Sequence, residues 1–378
     1  MHINYKINNK THKIIFCPDT EGLKIHKKKK SSMTISKDLK NIYTDGNVLL
    51  IVDKNINKKI INYIIHDLKI SFETLQVMFI NGSKKNKNVK LLFKIIDFLF
   101  KKKFTKKSVI VSCGGGVIGD VCGLASSLYL RGLIHYHIPT TMTAIIDSCI
   151  GGKNGINYKG IINSIGNYYH TDRVYISRNI INLIPDREYI AGIPEILKCG
   201  LILNRKILSM IEQKNSILKR DFKFISKLIK LSLKTKINFF LNDITELRER
   251  LKLNFGHTFA HAIEMSLKSN YTEVIRHGEA VGIGLLCEIF YANGKDKNFN
   301  FIEKILKTYN LPINLSTYIK NINKKKLEKN IYKYIFLDKK RIGKNPRFIN
   351  LKKIGNSTIL EMKNYNRINE TIRKVILN

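Results

Sequence analysis

Short apolar runs alternate with helix-period stretches through the first half of the chain, and then the alternation stops. NVLLIVD (47–53), LQVMFI (75–80), SVIVS (108–112), IHYHI (134–138) and RVYIS (173–177) have the length and β-branched content of buried strands. Between them, segments such as NVKLLFKIIDFLF (88–100) repeat their apolar positions with helical spacing. Strand–helix alternation of this kind predicts a mostly parallel sheet with helices on both faces. From about residue 186 the pattern becomes helical, as in ILSMIEQKNSILKRDFKFISKLIKLSLKTKINFFL, and only RFINLKKIGNSTIL resembles a hairpin. The predicted boundary falls at LIPDRE (183–188), where Pro185 punctuates the chain. This gives an α/β domain over 1–185 and an all-α domain over 186–378, with a cleft between them as the expected ligand site.

Composition changes this picture little. The 378 residues are 44% hydrophobic, enough for two cores, and carry a formal net charge of +38. Such a charge suits a nucleic-acid binder, but the lysines are spread over the whole chain (KKKK at 27–30, KKKFTKK at 101–107, NINKKKLEKN at 321–330). A binding footprint is localised, so the reading is no nucleic-acid partner. Lys, Asn and Ile, all with A/T-rich codons, are abundant throughout, and compositional drift explains the charge more simply. The six cysteines form no CxxC pair and read as reduced, mostly buried thiols. The polar start HINYKINNKTHK and the lack of a long uncharged apolar run predict a soluble cytoplasmic protein with no membrane partner.

Two places carry candidate chemistry. In SVIVSCGGGVIGDVCGLASSLYLRG a strand meets a glycine turn and then a helix. Gly114, Gly115 and Gly116 permit close backbone approach and the helix start suits a phosphate. The spacing is not GxGxxG, so a plain tight turn competes, and Asp120 could simply complement the helix dipole. IPTTMTAIIDSCIGGKNGIN follows, with Thr140 and Thr141 at a strand end and Asp147 upstream of the glycine-flanked Lys153. Two glycine turns at strand ends of one sheet favour a ligand cleft over a surface ion pair. His135 and His137 alternate on a strand with no carboxylate nearby, and read as one face of a half-exposed strand.

The second place is NFGHTFAHAIE (254–264), where His257 and His261 share a helical face four residues apart. His277 in RHGEAVGIG opens another helix. In GIPEILKCG, Glu195 and Lys198 lie three apart on one face. A catalytic divalent site takes three protein ligands and keeps one position open, so a carboxylate and two of these three histidines would suffice. Spacing does not say which two, and a helical salt bridge is the plainer reading of Glu195 and Lys198.

Together GGGVIGD, YLRG, PTT, DSCIGGKNGIN, LIPDRE, EILKCG, RLKLNFGHTFAHAIE, HGEAVGIG and DKK (338–340) resemble the 3-dehydroquinate synthase family over roughly residues 40 to 350. The resemblance implies a Rossmann-like NAD-binding domain, a helical metal- and substrate-binding domain, a homodimer, NAD and one divalent ion (zinc or cobalt). It implies Glu195, His257 and His277 as metal ligands, with His261 beside the substrate. The NAD site would comprise Asp53, Gly114, Gly115, Gly116, Val117, Ile118, Gly119, Asp120, Thr140, Thr141 and Lys153. Around the sugar-acid phosphate substrate would stand Arg131, Asp147, Lys153, Asn163, Lys198, Lys236, Arg250, Asn254, His261 and Lys340. The implied reaction converts 3-deoxy-D-arabino-heptulosonate 7-phosphate to 3-dehydroquinate and phosphate. It runs through transient oxidation by NAD, phosphate elimination, re-reduction and aldol closure.

Four positions depart from the family pattern. GSKKNK places Ser83 and Asn86 where a Gly-Glu-x-x-Lys segment reaches the nucleotide, and Ile162 stands where a lysine is usual. Leu183-Ile184-Pro185 replaces Thr-Leu-Pro, and Pro194 precedes the ligand Glu195. Loss of a lysine predicts weaker NAD binding than in a typical member. The rival readings are a sister sugar-phosphate cyclase, a metal-dependent alcohol dehydrogenase and a basic binding protein that has lost catalysis. His261 and the GGK turn argue against the first, the lysine–arginine cluster against the second, and retention of all candidate ligands against the third.

Overall fold

The computed structural model describes residues 1–17, 47–72, 74–159, 161–267, 274–316, 318, 323–337 and 345–378. The chain divides into two compact units, Met1–Pro185 and Asp186–Asn378.

Unit 1 contains strands β1 (His2–Ile7), β2 (Lys10–Cys17), β3 (Val48–Asp53), β4 (Leu75–Ile80), β5 (Val109–Gly114), β6 (Ile134–Pro139), β7 (Lys153–Tyr158), β8 (Ile161–Tyr168) and β9 (Arg173–Ser177). Its helices are α1 (Lys58–Ser71), α2 (Val89–Lys101), α3 (Gly116–Leu128) and α4 (Arg178–Leu183). Seven strands form one sheet in the order β1-β2-β9-β6-β5-β3-β4, parallel except for the antiparallel edge strand β1. In β3 all six residues are buried. Leu50 and Val52 join a cluster with Ile60, Ile64 and Leu68 of α1, whereas Leu49 and Ile51 face Ile95, Leu99 and Val121 of α2 and α3. The period-2 alternation thus feeds a core on each side of the sheet, each fully buried aliphatic side chain contributing ~1.5–3 kcal/mol.

Two antiparallel strand pairs lie beyond the apolar-run reading. β1 and β2 come from the polar start of the chain, yet Ile3, Tyr5 and Ile7 are buried on one face of β1. β7 and β8 form a separate antiparallel hairpin that carries Asn163.

Unit 2 is built from α5 (Asp186–Ile190), α6 (Ile193–Ile202), α7 (Arg205–Ile211), α8 (Lys214–Leu218), α9 (Phe222–Asn242), α10 (His257–Ser266), α11 (His277–Asn293), α12 (Lys297–Thr308), α13 (Lys324–Phe336) and α14 (Tyr365–Thr371). It also holds one hairpin, β10 (Arg347–Lys353) with β11 (Asn356–Glu361). The long periodic stretch after residue 204 is three helices, the last beginning where Asp221 accepts from the amides of Lys223 and Phe224.

Helix α11 is buried on all sides from Gly278 to Phe290. Glycines let neighbouring backbones reach it. A Cβ at Gly278 would lie 1.6 Å from the Ala191 carbonyl oxygen, and one at Gly284 would lie 1.9 Å from that of Gly256. Gly256 itself begins α10 at φ +81°, a conformation costly for other residues. No helix among the described residues is long and apolar enough to cross a membrane. All six cysteines are buried and unbridged.

Candidate metal and nucleotide sites

In unit 2, α6, α10 and α11 bring Glu195, His257 and His277 together, with their ligand atoms all within 4.8 Å of one another. Glu195 is 1% exposed. Its Oε1 faces Nε2 of His257 at 3.4 Å and Nε2 of His277 at 3.5 Å, and has no hydrogen-bond partner. Its other oxygen, Oε2, meets Nζ of Lys198 at 2.5 Å. Burial alone would raise the Glu195 carboxyl, but the Lys198 ammonium and the two imidazoles hold it well below the usual range.

Each imidazole is oriented by its other nitrogen. Nδ1 of His257 donates to the Phe255 carbonyl at 3.2 Å, and Nδ1 of His277 donates to Glu264 Oε2 at 3.0 Å. Both Nε2 atoms are therefore turned towards the orphaned carboxylate oxygen. Zinc at ~2.0–2.2 Å from N and O ligands sets tetrahedral edges of about 3.3 Å, close to the two separations observed. The donor set fits a divalent ion. Without one, burial would lower the His277 pKa, yet Glu264 and Glu195 draw it up to about 10. His261 packs against both rings, at centroid distances of 5.6 and 6.1 Å, outside the three-residue cluster.

The start of α11 is fixed by Glu279. Its carboxylate accepts from Arg187 through Nε and a terminal nitrogen, both at 2.8 Å, from the Arg276 amide at 2.8 Å, and from the Tyr318 hydroxyl at 3.1 Å. Burial would raise this carboxyl, and those donors hold it below its ordinary value instead.

Lys198, Lys236 and Arg250 are buried cations of the same unit. One arginine nitrogen of Arg250 donates to the Ile244 carbonyl at 2.6 Å, and its amide reaches Asp243 at 3.1 Å. Asp243, which burial would push up, is lowered by the amides of Leu247, Arg248 and Arg250. Asn254 donates to Glu246 Oε1 at 2.8 Å. Glu246 adopts φ +60° and was not singled out by sequence, because it stands in no motif. Lys340 lies outside the described residues.

In unit 1, β3 and β5 are neighbours whose chain continuations run to opposite sides of the sheet, the topology at which α/β sheets open a crevice. Asp53 ends β3 and accepts from the Gly82 amide at 3.2 Å and the Asn55 amide at 3.0 Å. Gly114 ends β5, and α3 follows with Gly115 as its cap and no side chain on its first amides. Val117, Ile118, Gly119 and Asp120 form the first turns of that helix. Thr140 directly follows the neighbouring strand β6, and its buried hydroxyl has no hydrogen-bond partner among the described residues. The Thr141 hydroxyl accepts from the Ala144 amide at 3.2 Å. A bare helix start, glycine backbone and an unspent hydroxyl fit a pyrophosphate-containing nucleotide.

Asp147 sits in the π-helical turn Ala144–Ser148, Lys153 begins β7 with its side chain exposed, and Arg131 is exposed at φ +59°. Asn163 is drawn in by Lys87, whose Nζ donates to Asn163 Oδ1 at 2.5 Å and pairs with Asp120. Lys87 is buried and immediately precedes Asn88, the cap of α2. Lys87 is the last residue of GSKKNK, one position beyond the five-residue Gly-Glu-x-x-Lys pattern, which ends at Asn86. A cation therefore stands beside Asp120.

His135 and His137 are not on a half-exposed face; each is 1% exposed. Ser112 Oγ lies 2.7 Å from Nε2 of His135 and 2.8 Å from Nδ1 of His137. Burial holds the two rings down to about 3 and about 4, so both are neutral.

The two-unit fold has solved counterparts. A 2-deoxy-scyllo-inosose synthase complexed with carbaglucose-6-phosphate, NAD+ and Co2+ matches with a TM-score of 0.80 at 20% identity, covering 100% of both chains. The 2-epi-5-epi-valiolone synthase of Streptomyces hygroscopicus subsp. jinggangensis 5008, with NAD+ and Zn2+ bound, matches with a TM-score of 0.78 at 17% identity over 98% of both. The chain thus shares the fold of these two synthases.

Sequence comparison is narrower. The 3-dehydroquinate synthase N-terminal signature matches residues 77–191 and the C-terminal signature residues 192–341. The 3-dehydroquinate synthase of Pelagibacter ubique is 36% identical over 352 residues, 90% of this chain and 92% of that protein. The chain belongs to the 3-dehydroquinate synthase family.

Proposed function

We infer that this chain is a cytoplasmic carbon–oxygen lyase that converts 3-deoxy-D-arabino-heptulosonate 7-phosphate to 3-dehydroquinate and inorganic phosphate. It does so as a homodimer, on the route to chorismate and the aromatic amino acids. Family membership supports the reaction, and the NAD+ with Co2+ or Zn2+ in the two solved cyclases supports the same cofactors here. The observation that carries the reading within this chain is the buried, unpartnered oxygen of Glu195 facing two imidazole nitrogens.

Glu195, His257 and His277 would hold the ion. Asp53, the Gly114–Asp120 turn, Thr140, Thr141 and Lys153 would hold the nucleotide. When bound, NAD supplies a hydride acceptor restored within each turnover, and the metal supplies a Lewis acid for the hydroxyl and carbonyl being interconverted.

The chain's own residues account for the rest. The substrate carries a carboxylate and a phosphate, and buried Lys198, Lys236 and Arg250 would offset that charge where water cannot. Lys198 is paired with Glu195 and so stands beside the candidate ion site. Hydrogen bonds to Ile244 and Glu246 fix the head groups of Arg250 and Asn254 before substrate arrives. Such preorganisation is the larger part of electrostatic catalysis. His261, beside the ligand rings and outside the metal cluster, is the candidate for proton exchange with substrate.

The test is to incubate metal-loaded protein with NAD and the seven-carbon keto-acid phosphate while following phosphate and dehydroquinate together. Coupled appearance of both, abolished by a chelator, is the expected result. No turnover at saturating NAD, with turnover of another sugar phosphate, would reassign the chain to a sister cyclase.

A further inference from the structure

Glu264 ends the HTFAHAIE stretch, four and three residues beyond the midpoint formed by Ala260 and His261, and seven beyond His257. On α10 the spacing 257, 261, 264 places all three on one face. Glu264 is not among the clustered ligand atoms. It stands behind His277, on the Nδ1 side of the ring, while Nε2 looks towards Glu195.

The two ligand histidines are held differently. His257 has an 8% exposed side chain and is oriented by a neutral carbonyl two residues earlier in its own chain. The His277 side chain is 26% exposed, at the first residue of its helix, and is oriented by a carboxylate from another helix. The more exposed ring has less packing to fix its rotamer beyond the rings of His257 and His261, and among the described residues the hydrogen bond from its Nδ1 goes to Glu264. A carboxylate in this place does more than a carbonyl would. It fixes the proton on Nδ1, leaves the Nε2 lone pair forward, and makes the imidazole a more basic ligand.

We propose that Glu264 is a positioning residue of the metal centre, holding His277 in the ligating tautomer and orientation without touching the ion. The inference rests on the reading of Glu195, His257 and His277 as a metal site. The experiment separates the two. Zn2+ affinity is measured by competition with a chromophoric chelator for wild type, Glu264→Gln, Glu264→Ala and Glu195→Gln, and the visible spectrum of the Co2+ forms is recorded beside it.

Glu264→Ala is expected to weaken Zn2+ binding ~10–100-fold, the range for partners of this kind. Glu264→Gln keeps an acceptor for Nδ1–H and loses the charge, so its loss is expected to be smaller but resolved, with a shifted Co2+ spectrum. If Glu264→Ala fails to fold, the isosteric Gln variant alone decides. Wild-type affinity and spectrum in Glu264→Gln, with binding abolished in Glu195→Gln, would overturn the role of Glu264 and leave the metal site standing. Failure of the wild type itself to bind Zn2+ would overturn both.

Discussion

Two clusters among the described residues that are built around histidines have opposite chemistry. In unit 1, His135 and His137 share the hydroxyl of Ser112 on adjacent strands; in unit 2, His257 and His277 share an oxygen of Glu195. Both pairs are largely enclosed. What separates them is the central group. A serine hydroxyl can satisfy neutral rings but cannot offset a charge, so burial drives those imidazoles to low pKa. A carboxylate with an unpartnered oxygen calls for a cation, whether a proton on His277 or a divalent ion. Histidine spacing alone does not distinguish a metal site from a core. The residue between the rings does.

The comparison breaks most sharply at Glu195. A Lewis acid is worth several kcal/mol at ~1.4 kcal/mol per decade of rate, so Glu195→Gln should lower kcat/KM by about 10³-fold or more. Metal content measured on the same sample should fall with it. A fully active variant retaining its metal would show that the central carboxylate is not what separates the clusters.

Acid should separate them next. The His135 and His137 rings ionise near 6.5 when unfolded and only at about 3 and about 4 in the fold. The unfolded chain therefore binds more protons below pH 6.5, and stability falls as pH drops from 6.5 towards about 4. Each ring can contribute a slope of up to ~1.4 kcal/mol per pH unit. Urea unfolding of unit 1 at pH 7.5, 6 and 5 should show this loss, and a His135→Phe, His137→Gln variant should lose less over the same interval. An unchanged slope would mean that the rings are not enclosed as described.

Ser112→Ala sharpens the same point. It removes the hydroxyl from the buried Nε2 of His135, while Nδ1 of His137 keeps the Ser112 carbonyl, at a cost of ~1–3 kcal/mol read as a lower urea midpoint, and Zn2+ affinity stays at the wild-type value. A loss of Zn2+ affinity in this variant would contradict the independence of the two clusters.

The smallest effect concerns cations rather than imidazoles. Lys198 is bound to Glu195 in unit 2, and Lys87 to Asp120 in unit 1, so a buried lysine stands against a carboxylate in each unit. Lys87→Met should weaken NAD binding by about 3–10-fold, the scale of one ordinary net hydrogen bond, without changing bound metal. Calorimetric titration with NAD decides this. An unaltered dissociation constant would leave Lys87 with a purely structural role.

What could be read from sequence follows from range. His257, His261 and the helix opened by His277 were legible because helical periodicity is local, and Glu195 because its motif is. The central strand 48–53 was legible as a continuous apolar run. β1 was not, because its buried Ile3, Tyr5 and Ile7 alternate with polar residues in a segment that reads as basic tail. His135 and His137 were placed on the right strand but in the wrong surroundings, since a parallel strand is covered on both faces and alternation there does not imply exposure. Lys87 was missed because its partner Asp120 lies 33 positions away and the turn Lys84–Asn86 sets its direction. Glu264 lay inside a quoted motif, but its role depends on a ring 13 residues later.

The glycines of α11 set the terms on which this unit can be redesigned. With no side chain between Gly278 and the Ala191 carbonyl, or between Gly284 and the Gly256 carbonyl, the helix that His277 opens is seated directly on neighbouring main chain. A saturation library across 277–284 should therefore return survivors unevenly. At 278 and 284 even alanine would meet carbonyl oxygen, whereas at 282 the nearest atom is the flexible end of Leu306. Selection for a different substrate would have to work through side chains around a backbone seam that admits almost no variation.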